Sequence, residues 1–196
     1  MTLFTLIAGL GNPGSRYATN RHNIGFQAVE SVAEAHRISF TKSEHRAQTA
    51  HGQILDHRVI LAKPQTWMND SGQAVGALAR FYKIPPERIL VIYDDMDIPL
   101  GTIRYRDGGS SGGHRGLESV LQQVGTQAVP RLRLGIGRPP GQMDPAAYVL
   151  QDFSTEEQDL VWDILRKARQ LVESWIEGHP VFDQEGMTWR IETSPD

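Results

Sequence analysis

The chain of 196 residues contains no cysteine. That excludes disulfide staples, a thiol nucleophile and thiolate metal centres, and nothing calls for an oxidising compartment. Long apolar runs are missing too: no stretch approaches the roughly 20 apolar residues that span a bilayer. The first residues have no basic segment, and their apolar run is broken at Gly9, Gly11 and Pro13. The expected location is therefore the cytoplasm, without an export signal or a membrane partner. Positive charge is not in excess either; the formal net charge is −3, so the molecule as a whole is no polycation. There is no H-x-x-x-H pair and no D-x-[DN]-x-[DN]-G loop, so neither common metal signature is present. No serine stands out as an activated nucleophile.

What is present begins with Gly9 to Phe26, GLGNPGSRYATNRHNIGF, after the apolar run Leu3 to Ala8. The run predicts a buried first strand, and Phe26, Val29, Val32 and Ala33 predict a helix over about 23–36. A plain strand-to-helix loop needs about two to six residues; this one is longer and crowded with polar groups. Its opening, Gly9-Leu10-Gly11-Asn12-Pro13-Gly14, matches G-x-G-x-x-G. A dinucleotide site needs a helix opening at the third glycine, to turn its N–H groups on the pyrophosphate. Here the helical pattern starts near Asn20 to Asn23 and Pro13 removes a donor. The dinucleotide reading is rejected.

Further along, Phe40 to His45 precedes Ala47 to Ile54 and Arg58 to Lys63, which pair as a hairpin. Thr66 to Asn69 is a loop, and Asp70 or Ser71 is expected to cap a helix that carries Val75, Leu78, Ala79 and Tyr82 and stops at Pro85-Pro86. RILVIY, 88–93, has the continuous apolar character of a strand covered on both faces, and ends in Asp94-Asp95-Met96-Asp97. Strands at Thr102 to Arg106 and Arg131 to Gly137 flank the glycine-rich segment 108–116 and a helix from Leu117 to Val124. Ser154 and Glu157 spell a capping box ahead of a long helical stripe that runs to Gly178. The segment 179–196 reads as a loosely ordered tail. The expected fold is α/β: a single domain over 1–196, with a twisted, mixed, mostly parallel sheet and helices on both faces.

Ligands of such sheets collect beyond the carboxyl ends of the strands. Four polar loops are expected there: 12–23, 66–69, 94–97 and 108–116. A histidine oriented by a carboxylate activates water, and side-chain amides donate to a developing oxyanion. Together these predict direct attack of water on an acyl bond. Asp94, Asp95 and Asp97 form the competing metal candidate, without a supporting glutamate or histidine pair. The segment Gly108 to Arg115 misses the phosphate-binding P-loop because His114-Arg115 replaces Lys-Ser/Thr; it is read as a mobile gate. Charge is uneven. Residues 100–140 carry Arg104, Arg106, Arg115, Arg131, Arg133 and Arg138 against Asp107 and Glu118, whereas 151–196 is dominated by acids. Alternation in Arg104-Tyr-Arg106 and Arg131-Leu-Arg133 puts each pair on one strand face, in a form suited to phosphates.

Taken together, GLGNPG-x2-Y-x3-RHN-x-G, TWMN-x-SG, DDMD after an apolar strand, and GG-x2-GGH-x-GL resemble the bacterial peptidyl-tRNA hydrolase family. The motifs occur in the family's order and continue through RLRLGIGRP, so the resemblance covers nearly the whole chain. It implies an esterase of translation that recycles peptidyl-tRNA by cleaving the peptide from the 3′ end of tRNA. It further implies a monomer using no cofactor and no metal. It makes His22 the catalytic base, Asp94 its orienting carboxylate, and Asn12 the group recognising the acylated amine. Tyr17, Asn23, Trp67 and Asn69 bind substrate, and Arg104, Arg106 and Arg133 hold tRNA phosphates. One residue departs from the family: Arg115 stands where the family has asparagine, and is taken as a substrate contact of altered chemistry. The alternative is an RNA-binding relative on the same scaffold that has lost catalysis; intact Asn12, His22, Asn69 and Asp94 oppose it.

Overall fold

The computed structural model describes residues 4–179, 182 and 186–191. Two apolar runs make its centre. Strand β1 (Thr5–Gly9) is buried throughout and β5 (Ile89–Asp95) is buried as far as Asp94, because each is covered on both faces. β1 pairs in parallel with both β5 and β4 (His57–Pro64), and β5 pairs in parallel with β7 (Arg131–Gly135). Antiparallel strands extend this core on each side. β3 (Ala47–Ile54) folds back on β4 through the expected hairpin, and β2 (Lys42–Glu44) adds to β3. On the other flank β6 (Thr102–Arg106) pairs with β7. With β8 (Thr188–Arg190) on the edge, the sheet order is β2-β3-β4-β1-β5-β7-β6-β8, with only β3 and β6 running against the rest.

Of the segment 179–196, read as a loose tail, residues 188–190 form strand β8, while 180, 181, 183–185 and 192–196 lie outside the described residues. β8 pairs antiparallel with β6, and flanking bonds from Tyr105 N–H to Met187 O and from Ile191 N–H to Gly101 O extend the ladder. Phe182 packs edge-on against Tyr105 and near Trp189. Edge pairing and two aromatic anchors supply order that polar composition alone did not reveal.

Helices α1 (Ile24–Ala35) and α5 (Gln158–Ile176) share one apolar cluster with the sheet; α2 (Ser71–Phe81) and α3 (Arg115–Val124) belong to a second cluster on the opposite face. The predicted capping box ahead of α5 forms, with Ser154 N–H donating to Glu157 Oε2 at 2.7 Å. The expected cap of α2 does not: Asp70 makes no capping bond, and the Ser71 hydroxyl donates instead to Met68 O. α2 also stops before Pro85. Lys83 turns left-handed at φ 54° and Ile84 N–H closes on Ala79 O.

Two glycines of the G-x-G-x-x-G match, Gly9 and Gly11, serve packing, and Gly14 serves a turn at φ 103°. A Cβ at Gly9 would lie 2.1 Å from Gly25 O, and one at Gly25 would lie 2.4 Å from Ile92 O. The start of α1 thus presses directly on the ends of β1 and β5, and any side chain at either position would separate them. No described helix is long and apolar enough to cross a membrane.

Candidate active site

The ends of β1, β4 and β5 meet the loops that follow them around a cavity of about 570 Å³. The fourth expected loop arrives differently. β6 runs antiparallel, so segment 108–114 leaves the far end of the sheet and climbs back to α3. Buried Arg131 anchors its lower part, donating to the carbonyls of Gly109, Ser110, Gln127 and Val129. His114 fixes its upper end. The segment is pinned at both ends, which confines any gate to Ser111–Gly113 and removes Arg131 from the phosphate face. Ser110 and Ser111 fall in frames that spell G-x-S-x-G, a match the sequence reading passed over. Neither hydroxyl bonds a histidine among the described residues, and Ser111 Oγ accepts from Gly113 N–H.

His22 and Asp94 do meet. Nδ1 of His22 lies 2.9 Å from both carboxylate oxygens of Asp94, across 72 residues of chain. Asp94 is 2 % exposed. Burial pushes its pKa up, but the charge of His22 and bonds from His114 and His22 outweigh burial and hold it well below the usual carboxylate range. An ionised carboxylate only accepts, so the His22 proton sits on Nδ1 and the lone pair on Nε2. For His22, burial lowers the pKa, while the charge and hydrogen bond of Asp94 more than offset it; the net shift is upward.

His114 is a second histidine on the same carboxylate, and sequence reasoning missed it. Its Nε2 donates to Asp94 Oδ1 at 3.1 Å, while its Nδ1 accepts the Leu117 N–H at 3.2 Å and caps α3. Both nitrogens are committed, so the ring is a neutral tautomer with no lone pair left for substrate. The same bonding bears on a metal. The ligand atoms of His22, Asp94 and His114 lie within 4.8 Å of one another. A cation on His114 Nε2 would require the proton on Nδ1, facing the Leu117 N–H, and these residues do not fit one without uncapping α3. The Asp94-Asp95-Asp97 candidate diverges: Asp95 pairs with Arg133 at 2.9 Å and Asp97 with Arg138.

Asn12 is held with equal care. Its Oδ1 accepts the Met68 N–H at 2.8 Å, which identifies its other terminal atom as the NH2 donor. Asn23 grips the Asn12 backbone from both sides, its Oδ1 accepting Asn12 N–H and its Nδ2 donating to Asn12 O. Asn23 is 1 % exposed and absent from the cavity wall. It holds the Asn12 backbone from behind the cavity wall, whereas the resemblance implied a direct substrate contact. Tyr17 and Trp67 line the cavity edge-to-face at 5.9 Å, and Asn69 lines it with an exposed side chain. Arg115 opens α3 on the cavity rim, exposed and with no ion pair to Glu118. Arg104 and Arg133 face each other across β6 and β7, with exposed Arg106 on the same side. This trio lies off the cavity wall, on the adjoining sheet face.

The opposite wall is α4 (Pro145–Val149), also unforeseen. Its signal was present in Asp144-Pro145: Asp144 caps Ala147 N–H and proline occupies the first turn. Arg21 latches this wall to the strand-exit loop beside His22. Its guanidinium donates two hydrogen bonds to the Glu157 carboxylate, at 3.0 and 2.8 Å, and packs against the rings of Tyr148 and Phe153.

Comparison with known proteins agrees with this geometry. The sequence profile of the family described as peptidyl-tRNA hydrolase matches residues 6–190. Peptidyl-tRNA hydrolase of Chloroflexus aggregans is 53 % identical over 169 residues, 86 % of this chain and 90 % of the relative. That of Moorella thermoacetica is 49 % identical over 178 residues, 91 % of this chain and 94 % of the relative. The crystal structure of peptidyl-tRNA hydrolase from Acinetobacter baumannii superposes with a TM-score of 0.84 at 38 % identity, covering 91 % of each chain. With a profile match along nearly its full length, and relatives this similar over most of theirs, the chain belongs to the peptidyl-tRNA hydrolase family.

Proposed function

We propose that the cavity hydrolyses the ester joining a peptide, or an N-acylated amino acid, to the 3′ end of tRNA, with water activated by His22. The lone pair on His22 Nε2 takes the water proton as oxygen attacks the ester carbonyl. The tetrahedral intermediate collapses, the terminal ribose oxygen leaves, and that oxygen is protonated in turn. Asp94 stabilises the imidazolium and holds the proton on Nδ1. The Asn12 NH2 meets the acylated amine of the substrate, and the exposed Asn69 amide helps hold the ester. Arg104, Arg106 and Arg133 meet acceptor-stem phosphates.

The observation that carries this reading is the His22–Asp94 contact, because in the neutral ring it holds the proton on Nδ1 and leaves Nε2 free to act as base. It also separates the reading from that of an RNA-binding relative without catalysis, which has no need of a buried carboxylate under a histidine. Release of N-acetyl-amino acid from N-acetylaminoacyl-tRNA, compared with free aminoacyl-tRNA, tests it. The wild type should cleave the acetylated substrate and spare the other. His22→Ala should lower single-turnover release by roughly 10²- to 10⁴-fold, the usual contribution of a positioned base, with tRNA affinity retained. A loss below about tenfold would remove His22 from that role.

A further inference from the structure

The sheet face that carries Arg104, Arg106 and Arg133 is exposed at Arg106, Thr188 and Arg190, and covered at Gly135 by Ile98 and Pro99. On its reverse, Ile103, Tyr105, Leu132 and Leu134 are buried in the α1–α5 cluster. On this side Arg106 is exposed, and the second apolar cluster contains no residue of β6 or β8. β8 continues the same face. Thr188 lies opposite Arg104, and Arg190 opposite Thr102, so both project with the arginines, because directly paired residues share a face. Sequence position placed Arg190 among the acids of 151–196; the register places it on the arginine face.

We propose that β8 is part of the RNA-binding surface, and that Arg190 contacts a phosphate of the substrate's tRNA at the cavity end of that face. This rests on the functional reading above for the identity of the RNA. β8 runs parallel to β7, so its carboxyl end, like that of β5, points to the cavity end. Three strand spacings separate Arg190 from Asp95 in the row Asp95–Gly135–Thr102–Arg190, about 14 Å. At Gly135 that row is covered by Ile98 and Pro99, so a backbone reaching Arg190 from the cavity passes over this turn. Arg133 is paired with Asp95, whereas Arg104, Arg106 and Arg190 have no ion pair among the described residues. Unpaired guanidinium groups on an exposed strand face complement a phosphate backbone. The backbone of β8 is rigid enough to serve, held to β6 on one edge and anchored from beneath by Trp189 and Phe182.

Equilibrium binding of uncharged tRNA over a range of salt tests this without requiring catalysis. Arg190→Gln should flatten the slope of log affinity against log salt by about 0.7 to 0.9, one phosphate contact, and Arg190→Lys should restore it. Thr188→Arg should steepen it by a similar amount. Hydrolysis of an N-acetylaminoacyl ester of the trinucleotide CCA, which has no acceptor stem, should be unchanged in all three variants. A wild-type slope in Arg190→Gln would overturn the proposal, as would an equal loss on the CCA ester, which would place Arg190 at the cavity instead. A wild type that binds tRNA through Arg190 but cleaves no N-acetylaminoacyl-tRNA would leave this inference standing and sink the functional reading.

Discussion

Asp94 and Arg115 show how much turns on single side chains. Burial alone would lower the His22 pKa, and Asp94 reverses the sign. Catalysis needs neutral His22, so the acid limb of the rate profile tracks that raised pKa and lies above the value of an ordinary histidine. Asp94→Asn removes the charge that raises it and should move the limb to lower pH. It should also slow the reaction, because an amide can donate to Nδ1 and push the proton to Nε2, the wrong tautomer. A pH–rate profile with unmoved limb and near-normal rate would exclude Asp94 as the orienting group. Arg115 presents a different conflict. A cation in the first turn opposes the helix dipole, typically by 0.3–1 kcal/mol at exposed sites, and Glu118, in the same turn, makes no ion pair with it. Such a residue fits a rim that receives an anion. Arg115→Asn should therefore leave the melting temperature equal or higher while raising KM for the tRNA ester, more at low salt than at high. Arg115→Glu should stabilise α3 further and bind worse still. Equal KM for all three proteins across salt would show that Arg115 never meets substrate.

At the scale of elements, α3 matters because its N-terminal cap, His114, also donates a hydrogen bond to Asp94. His114→Ala should cost about 1 kcal/mol through the lost cap and should lower kcat through the lost bond to Asp94. Asparagine caps well, so His114→Asn should recover stability; recovery of kcat to the same extent in the same assay would reduce His114 to a cap. The sequence reading anticipated α3 but not this double use, since the partner of His114 Nε2 lies 20 residues away. Legibility followed the range of the forces involved. The capping box of α5 and the run of β5 are local and were readable. α4 is five residues long, and only Asp144-Pro145 announced it. β8 is three residues stabilised by pairing with a strand more than 80 positions earlier, which no local pattern encodes. The burial of Asn23 behind Asn12 was not readable, because a motif gives adjacency in sequence and not direction in space. The orientation of β6 was available: residues 96–101 are too few for a crossover between parallel strands, which takes a dozen or more. The meeting of His22 with Asp94 was implied by family resemblance rather than by spacing.

Over the whole molecule, charge is sorted rather than balanced. Net charge is −3, yet the exposed face of β6 and β8 is arginine-rich, while on the opposite side of the sheet the turn before α5 and the helix's first residues carry Glu156, Glu157 and Asp159. Such an arrangement orients an approaching polyanion, attracting it to one face and repelling it from the other. Affinity for tRNA should therefore fall steeply with salt despite the negative total. The arginines are not equivalent in this. Arg106 is exposed and unpaired among the described residues, so Arg106→Gln should raise KM and flatten the salt slope by about 0.7 to 0.9, with kcat and melting temperature held. Arg133 is tied to Asp95, whose side chain is 14 % exposed. Arg133→Gln should flatten the slope less, because that charge is already partly neutralised, and should lower the melting temperature, because it strands a buried carboxylate. Parallel salt titrations and thermal melts of the two variants separate these outcomes. Should both variants keep the wild-type slope, the arginine face is solvated surface and tRNA approaches the cavity from another side.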